Sequence, residues 1–228
     1  ALNVNDTYGD LDTVASNDIE IFYATDQVDS YVGGSADVTV YGGASADSFT
    51  DGAGAEVLDG EAGNDSFVVS LDGADDSYIG GAGLDLIDFT NTGVSGITIN
   101  LGLNTLSTLA GIGNDTISGF ENVIGSLGAD IITMEEGVNN TIDGSSGADT
   151  VSFFGHSSGI TVDLNTNTAV DVTIGVSVED SIVNVENVIG TDQADTMTGD
   201  SAINIFTGNG GADIIDGAAG NDDLFGGD

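Results

Sequence analysis

The chain has 228 residues, including 36 Gly and 39 Asp or Glu, with no Lys, Arg, Pro, Cys or Trp, and a formal net charge of −39. Average usage would supply roughly 25 basic residues in this length, so these carboxylates have no cationic side chain to pair with. Such acidity argues against nucleic acid and anionic lipid as partners. The chain is free of disulfides, and no run of about 18 apolar residues is present to insert in a membrane.

Two unit charges about 5 Å apart repel by about 0.8 kcal/mol in bulk water and about 3 kcal/mol at an effective dielectric near 20. A folded array of carboxylates therefore needs an external cation, and calcium is the natural candidate. High net charge also favours disorder, which is the expected state without calcium. With calcium, the 39% of hydrophobic residues, regularly spaced, support a fold. No signal peptide or initiator Met is present, and Gly226-Gly227-Asp228 begins another repeat unit, so the chain reads as a processed product or a fragment.

Residues 1–41 carry few glycines but repeat a short acidic-then-apolar unit: Asp12-Thr13-Val14, Asp29-Ser30-Tyr31-Val32, Asp37-Val38-Thr39-Val40. Asp18-Ile19-Glu20-Ile21-Phe22 alternates with a period of two, as a strand does. This stretch reads either as degenerate solenoid rungs without regular calcium turns or as a separate small β cap.

Residues 42–88 form the first block: GGASADSFT (42–50), DGAGAEVLD (51–59), GEAGNDSFV (60–68), the two extra residues Val69 and Ser70, LDGADDSYI (71–79) and GGAGLDLID (80–88). Phe49, Leu58, Phe67, Tyr78 and Ile87 are the expected inward positions. Residues 89–152 hold an excursion with the alternating strand Ile97-Thr98-Ile99-Asn100-Leu101, then AGIGNDTIS (110–118), the strand around Phe120-Glu121-Asn122-Val123-Ile124, GSLGADIIT (125–133), a weaker unit with Asn140 in place of Asp, and GSSGADTVS (144–152). Residues 153–228 duplicate this plan: Gly159-Ile160 to Leu164 matches Gly96-Ile97 to Leu101, and Val185-Glu186-Asn187-Val188-Ile189 matches Phe120 to Ile124. GTDQADTMT (190–198), GDSAINIFT (199–207), GNGGADIID (208–216) and GAAGNDDLF (217–225) follow. No stretch has a helical period.

A nine-residue unit cannot bury its own apolar residue. Two units make one coil, with a strand on each side and a turn at each end, and coils stacked about 4.8 Å apart close a narrow core. Ten or eleven coils would give a rod roughly 50 Å long. Turns on one edge then lie about 18 residues apart, as Asp47 and Asp65 do.

The unit GGAGLDLID at 80–88 fits the pattern G-G-x-G-x-D-x-U-x, U being bulky and apolar, without a departure. On this motif the chain resembles the RTX (repeats-in-toxin) calcium-binding family, and specifically RTX-type bacterial S-layer and surface proteins. The resemblance covers residues 42–88, 110–152 and 190–228. It implies an all-β fold, a parallel β-roll or β-helix solenoid, with multiple Ca2+ held between stacked turns by Asp carboxylates and Gly-turn carbonyls. Carried over by position, the ligands are Asp47, Glu56, Asp65, Asp76, Asp85, Asp115, Asp130, Asp149, Asp195, Asp213 and Asp222. Glu56 is one methylene too long, Asn140 and Asn204 lack charge and predict weak or empty sites, and Gln193 replaces the fourth-position Gly.

Catalytic patterns are sparse. Gly155-His156-Ser157-Ser158-Gly159 matches the nucleophile-elbow pattern G-x-S-x-G, but that pattern needs a following helix and a His elsewhere, and His156 is the only His. Paired carboxylates carry no information among so many, and no zinc pattern is present. The expectation is therefore a protein without enzymatic activity. Three roles fit: a calcium-stabilised subunit of an extracellular surface layer or filament that partners with itself; a calcium-binding module of a larger enzyme or toxin exported by type I secretion; or a spacer in an adhesin. All three place the chain outside a bacterial cell.

Overall fold

A three-residue strand has no stability of its own and persists only when neighbours supply its ladder and cover its one apolar side chain. In the computed structural model the described residues are 21–70, 72–93, 96–108, 114–173 and 176–228, and every regular element among them is a β-strand. The units Asp12-Thr13-Val14 and Asp18 to Glu20 lie outside the described residues. The short strands of the first block bury their middle residues: Ser48–Thr50 buries Phe49, Ser66–Val68 buries Phe67, Ser77–Ile79 buries Tyr78 and Leu86–Asp88 buries Ile87. With Leu58, these are the inward positions expected from sequence.

The strands alternate between two faces. One face begins with a parallel ladder of Ile21–Tyr23, Val38–Tyr41, Glu56–Asp59, Ser77–Ile79 and Thr116–Ser118. Thr105–Thr108 lies beside the last of these and pairs antiparallel with Ile97–Asn100. From there Ile131–Thr133, Thr150–Ser152, Asn187–Ile189, Ile205–Thr207 and Asp223–Phe225 continue in parallel. The other face is one sheet of eleven strands, about 50 Å long at the usual strand spacing. Its spatial order is Ser30–Val32, Ser48–Thr50, Ser66–Val68, Leu86–Asp88, Asn122–Ile124, Thr141–Asp143, Val176–Val183, Thr168–Thr173, Ile160–Asp163, Thr196–Thr198 and Ile214–Asp216.

Phe49 lies opposite Phe67, 18 residues along. The interval widens to 20 between Asp65 and Asp85, where Val69 and Ser70 are inserted. The strands from Ile21 to Tyr41 follow the same 18-residue step and stack on the same faces as the later coils.

The core is one file of side chains between the faces. Phe49 and Phe67 stack with ring centres 4.5 Å apart, and Phe120 meets Phe67 edge-on at 5.1 Å. At several corners the residue after the strand is large and buried, as at Val69, Phe89, Met134 and Phe153. These positions fill with hydrocarbon a place that other corners leave to Gly.

The two excursions have a simpler form than their sequence suggests. Ile97–Asn100 and Ile160–Asp163 are themselves rungs, paired in parallel with Ile131–Thr133 and Thr196–Thr198. The departure comes after them. The chain reverses through a tight turn closed by Asn104 (φ 53°) in one copy and Asn167 (φ 57°) in the other, the left-handed conformation Asn tolerates better than most residues. It then runs back as one antiparallel strand before rejoining the coil. Each excursion thus inserts a single antiparallel rung, the first into one face and the second into the other.

The stacked core sets a stability test. In calcium-saturating buffer, Phe67→Ala is expected to cost about 3–5 kcal/mol of unfolding free energy in a denaturant titration. Phe154→Ala, at a residue 59% exposed, should change it by less than about 0.5 kcal/mol. Equal losses would contradict the single-file core.

Candidate metal centre: two columns of turn carboxylates

The last residue of each turn, just before the strand, falls at the same height on successive coils. Two columns result, one on each edge of the solenoid, and hydrogen bonds join them rung to rung. In the first, the amide of Asp29 donates to Oδ1 of Asp47 at 2.8 Å, that of Asp47 to Asp65 at 2.7 Å, that of Asp65 to Asp85 at 2.7 Å, and that of Asp85 to Oε2 of Glu121 at 2.9 Å. Further up, Asn140 donates to Asp180 at 2.8 Å and Asp195 to Asp213 at 3.0 Å. In the second column Glu56 donates to Asp76 at 2.7 Å, Asp76 to Asp115 at 3.0 Å, Asp130 to Asp149 at 2.8 Å, Asp149 to Glu186 at 2.9 Å, and Asn204 to Asp222 at 3.0 Å.

This ladder uses one oxygen of each carboxylate. The second oxygen of Asp47, Asp65, Asp85, Asp115, Asp149 and Asp213 is buried and meets no donor. At Asp47, Asp65, Asp85, Asp149 and Asp213 it lies against the first residue of its own turn: a Cβ added to Gly60 would sit 2.3 Å from Oδ2 of Asp65 and 2.6 Å from the carbonyl oxygen of Gly80 on the next coil. Gly42, Gly144 and Gly208 stand in the same relation to Asp47, Asp149 and Asp213. Glycine is required there because oxygens converge on the space a side chain would fill. A buried anionic oxygen without a partner is strongly unfavourable, and this chain has no cationic side chain to supply one. Carboxylate and carbonyl oxygens gathered without donors form the hard, flexible oxygen set that calcium takes. The residues present therefore fit the ion that the motif implies.

Two kinds of turn appear among these repeats. In the open kind the second residue has positive φ, as at Gly43, Glu61, Gly81, Ser145, Asn209 and Ala218. In the closed kind the second residue's amide turns inward and caps the acidic side chain. Ser126 donates its amide and hydroxyl to Asp130, both at 2.7 Å, and Thr191 does so to Asp195 at 2.8 and 2.9 Å. Oδ1 of these two carboxylates also accepts the amides of Ile97 and Ile160, the first residues of the excursion rungs. Asp130 and Asp195 thus have donors on both oxygens, and the structure sets them apart from the other candidates. The sequence marks the unit of Asp195 through Gln193 but carries no such departure in the unit of Asp130.

Asn140 and Asn204 are buried in the same columns. Their amide nitrogens donate to the carbonyls of Glu121 and Glu186 on the coil below, at 2.8 and 2.9 Å. At these rungs a side-chain N–H supplies the positive end that a cation supplies elsewhere. Sequence reasoning left these column members out of the ligand set: Asp29, Glu121, Asp180 and Glu186. The signal was present for the two Glu residues. Each directly precedes an Asn-Val-Ile strand, the place Asp holds in a regular unit.

Burial raises the carboxyls above their ordinary range. Asp47 is pushed up to about 7, with help from the charges of Asp65 and Asp29. Glu56 is pushed up to about 9, with help from Asp51 and Asp76. Asp115 and Asp149 rise to about 6, and Asp65, Asp76, Asp85, Asp130 and Asp195 also rise, burial being the first cause in each.

The Gly155–Gly159 segment is a turn between two rungs. His156 is buried edge-on to Phe153, with Nε2 3.3 Å from the carbonyl oxygen of Met134. Ser157 donates its amide and hydroxyl to Glu136, and the strand Ile160–Asp163 follows where an elbow needs a helix.

Parallel rungs, glycine turns and columns of oxygen donors define a calcium-binding β-roll. The RTX calcium-binding nonapeptide repeat matches this chain in four copies, at residues 23–50, 32–67, 136–152 and 189–224, and the chain is an RTX-repeat protein. The first copy reaches into coils that the sequence reading took to lack regular calcium turns, in line with the place of Asp29 in the first column. A search of curated proteins found no match. The protein is therefore a calcium-binding module, of a kind typical of secreted bacterial proteins.

Two outcomes follow for the site. Carboxyls raised in the folded state favour folding below the unfolded carboxylate range, and that contribution is lost as pH rises through about 6 to 9. With calcium chelated, strand signal in circular dichroism should therefore grow as pH falls from 9 to 5; with calcium present, half-saturation should shift to higher calcium over the same fall, since protons compete for the ligands. Gly60→Ala should weaken calcium affinity by about tenfold or more, read by isothermal titration. Wild-type affinity in that variant would remove Gly60 from the site.

Proposed function

We propose that the chain is a non-catalytic structural protein, a calcium-stabilised subunit of an extracellular surface layer or filament that assembles with copies of itself. The observation that carries this reading is continuity: stacked rungs and carboxylate columns account for the described residues from Ile21 to Phe225. The turn at Gly155–Gly159 engages its Ser and His in contacts that hold the turn together rather than with each other. The absence of Lys and Arg removes every trypsin-type cleavage site, which suits a long-lived exposed polymer. A solenoid of this kind grows by adding rung to rung, and an uncapped edge strand can pair with a further one. In this reading calcium switches assembly because it switches folding: sites formed only in the folded state convert binding into folding energy.

Negative-stain electron microscopy of the purified chain in millimolar calcium, repeated after chelation, tests this. Ordered filaments or sheets that dissolve on chelation are expected. Monodisperse rods at every concentration would transfer the assignment to a module of a larger type I-secreted enzyme or toxin, or to an adhesin spacer.

A further inference from the structure

One turn differs from all the others. The unit at 51–59 begins with Asp51 where regular units begin with Gly, and it ends its turn with Glu56 in place of Asp. Asp51, Glu56 and Asp76 each bring a carboxylate oxygen within 4.8 Å of the other two, and all three residues are buried. Glu56 is 0% exposed and neither of its oxygens meets a donor. Asp51 is 7% exposed; its Oδ1 is also without a donor, while Oδ2 is fixed by the Tyr78 hydroxyl at 2.9 Å and the Ser70 amide at 3.1 Å. The two-residue insertion before the next turn explains this hold. Val69 fills the corner, and Ser70 supplies the amide and donates its hydroxyl to the Gly52 carbonyl at 3.1 Å.

The open turns present one free carboxylate oxygen among backbone carbonyls. Here three side-chain carboxylates from two coils face one another, and the fully buried one meets no amide or hydroxyl donor, only the carboxyls of Asp51 and Asp76. We propose that Asp51 joins the column members Glu56 and Asp76 as a third ligand, so that one cation here is held by three carboxylates and Asp51 is a ligand outside the register of the repeat. The proposal rests on the calcium reading of the turns and extends it. Oxygens no more than 4.8 Å apart share a centre at most about 2.8 Å from each, so a small contraction of the three side chains brings them to the calcium–oxygen distance of about 2.3–2.6 Å, and magnesium, at about 2.0–2.1 Å, would demand a larger one. Three carboxylates carry one more negative charge than calcium neutralises, so a trivalent ion of similar size binds more tightly here than at a turn with a single free carboxylate.

That preference makes terbium the probe. The full chain has no Trp and five Tyr, and the Tyr78 hydroxyl touches a proposed ligand, so tyrosine excitation should sensitise emission from Tb3+ bound at this site. Adding Tb3+ to the calcium-loaded protein is expected to give sensitised emission that saturates near roughly one ion per chain. Asp51→Asn should weaken its half-saturation by about tenfold or more, taking the loss typical of outer-shell partners as the floor for a ligand. Asp51→Gly, which restores the residue of regular units, should do the same if the Asn variant proves unstable; circular dichroism in calcium checks both folds. Asp213→Asn, at a distant open turn, should leave this emission intact while lowering the calcium count, which tests the turn sites independently. Sensitised emission unchanged by both Asp51 variants, or absent from the wild type, would overturn the proposal.

Discussion

The structure depends on a carboxylate that is half satisfied. At the open turns of Asp47, Asp65, Asp85, Asp149 and Asp213, one oxygen accepts an amide from the neighbouring coil and so fixes the register between coils, while the other is withdrawn from water and given no donor. The first interaction needs only the backbone. The second needs something the chain does not encode, because it contains neither Lys nor Arg. Register is thus written in the sequence, but stability is deferred to the solution outside. The same column that aligns the coils concentrates repulsion along the edge until a cation arrives.

The turns show how neighbours decide local conformation. Ser126 and Thr191 stand at the second position of units whose lower neighbour is an excursion rung, and both units adopt the closed turn. Ser145 also stands at a second position, but its unit stacks on a regular turn and is open, with positive φ. Ser126 and Ser145 are the same residue type in similar units, so composition does not explain the difference between these two, and the rung beneath does. An excursion rung is not the only route to a closed turn: the amide of Asp200 caps Asn204 at 3.0 Å in a unit that stacks on Asn187–Ile189.

This is also where legibility in the sequence stops. The fold was readable because its signal is strictly periodic: Phe49, Leu58, Phe67, Tyr78 and Ile87 all point inward as the unit length requires. Most candidate ligands were readable for the same reason, as with Asp47 and Asp65. Glu121 and Glu186 were not, because the Gly-rich turn that flags a ligand position is missing before them, although the strand after them is intact. The distinction between Asp65 and Asp130 was out of reach altogether. It depends on which segment is stacked below, and the 33-residue gap between Ile97 and Asp130 hides that pairing. Asp51 sat in plain view, but its meaning requires Tyr78 and Ser70, brought to it by a coil that is not its own.

The carboxylate ladder also has a direction. In the column rungs from Asp29 to Asp222 the amide of the earlier coil donates and the side chain of the later coil accepts; bonds of the opposite sense, from the amides of Ala55, Ser70 and Asn114 to Asp37, Asp51 and Asp75, lie beside the columns. The two ends of the stack are therefore chemically unlike. Stripping a coil from the amino-terminal side frees an acceptor, which water readily hydrates. Stripping one from the carboxyl-terminal side takes the acceptor away and leaves the amide beneath it bare. Each coil is completed by its successor, so the roll is vectorial, built to be closed from its carboxyl-terminal side.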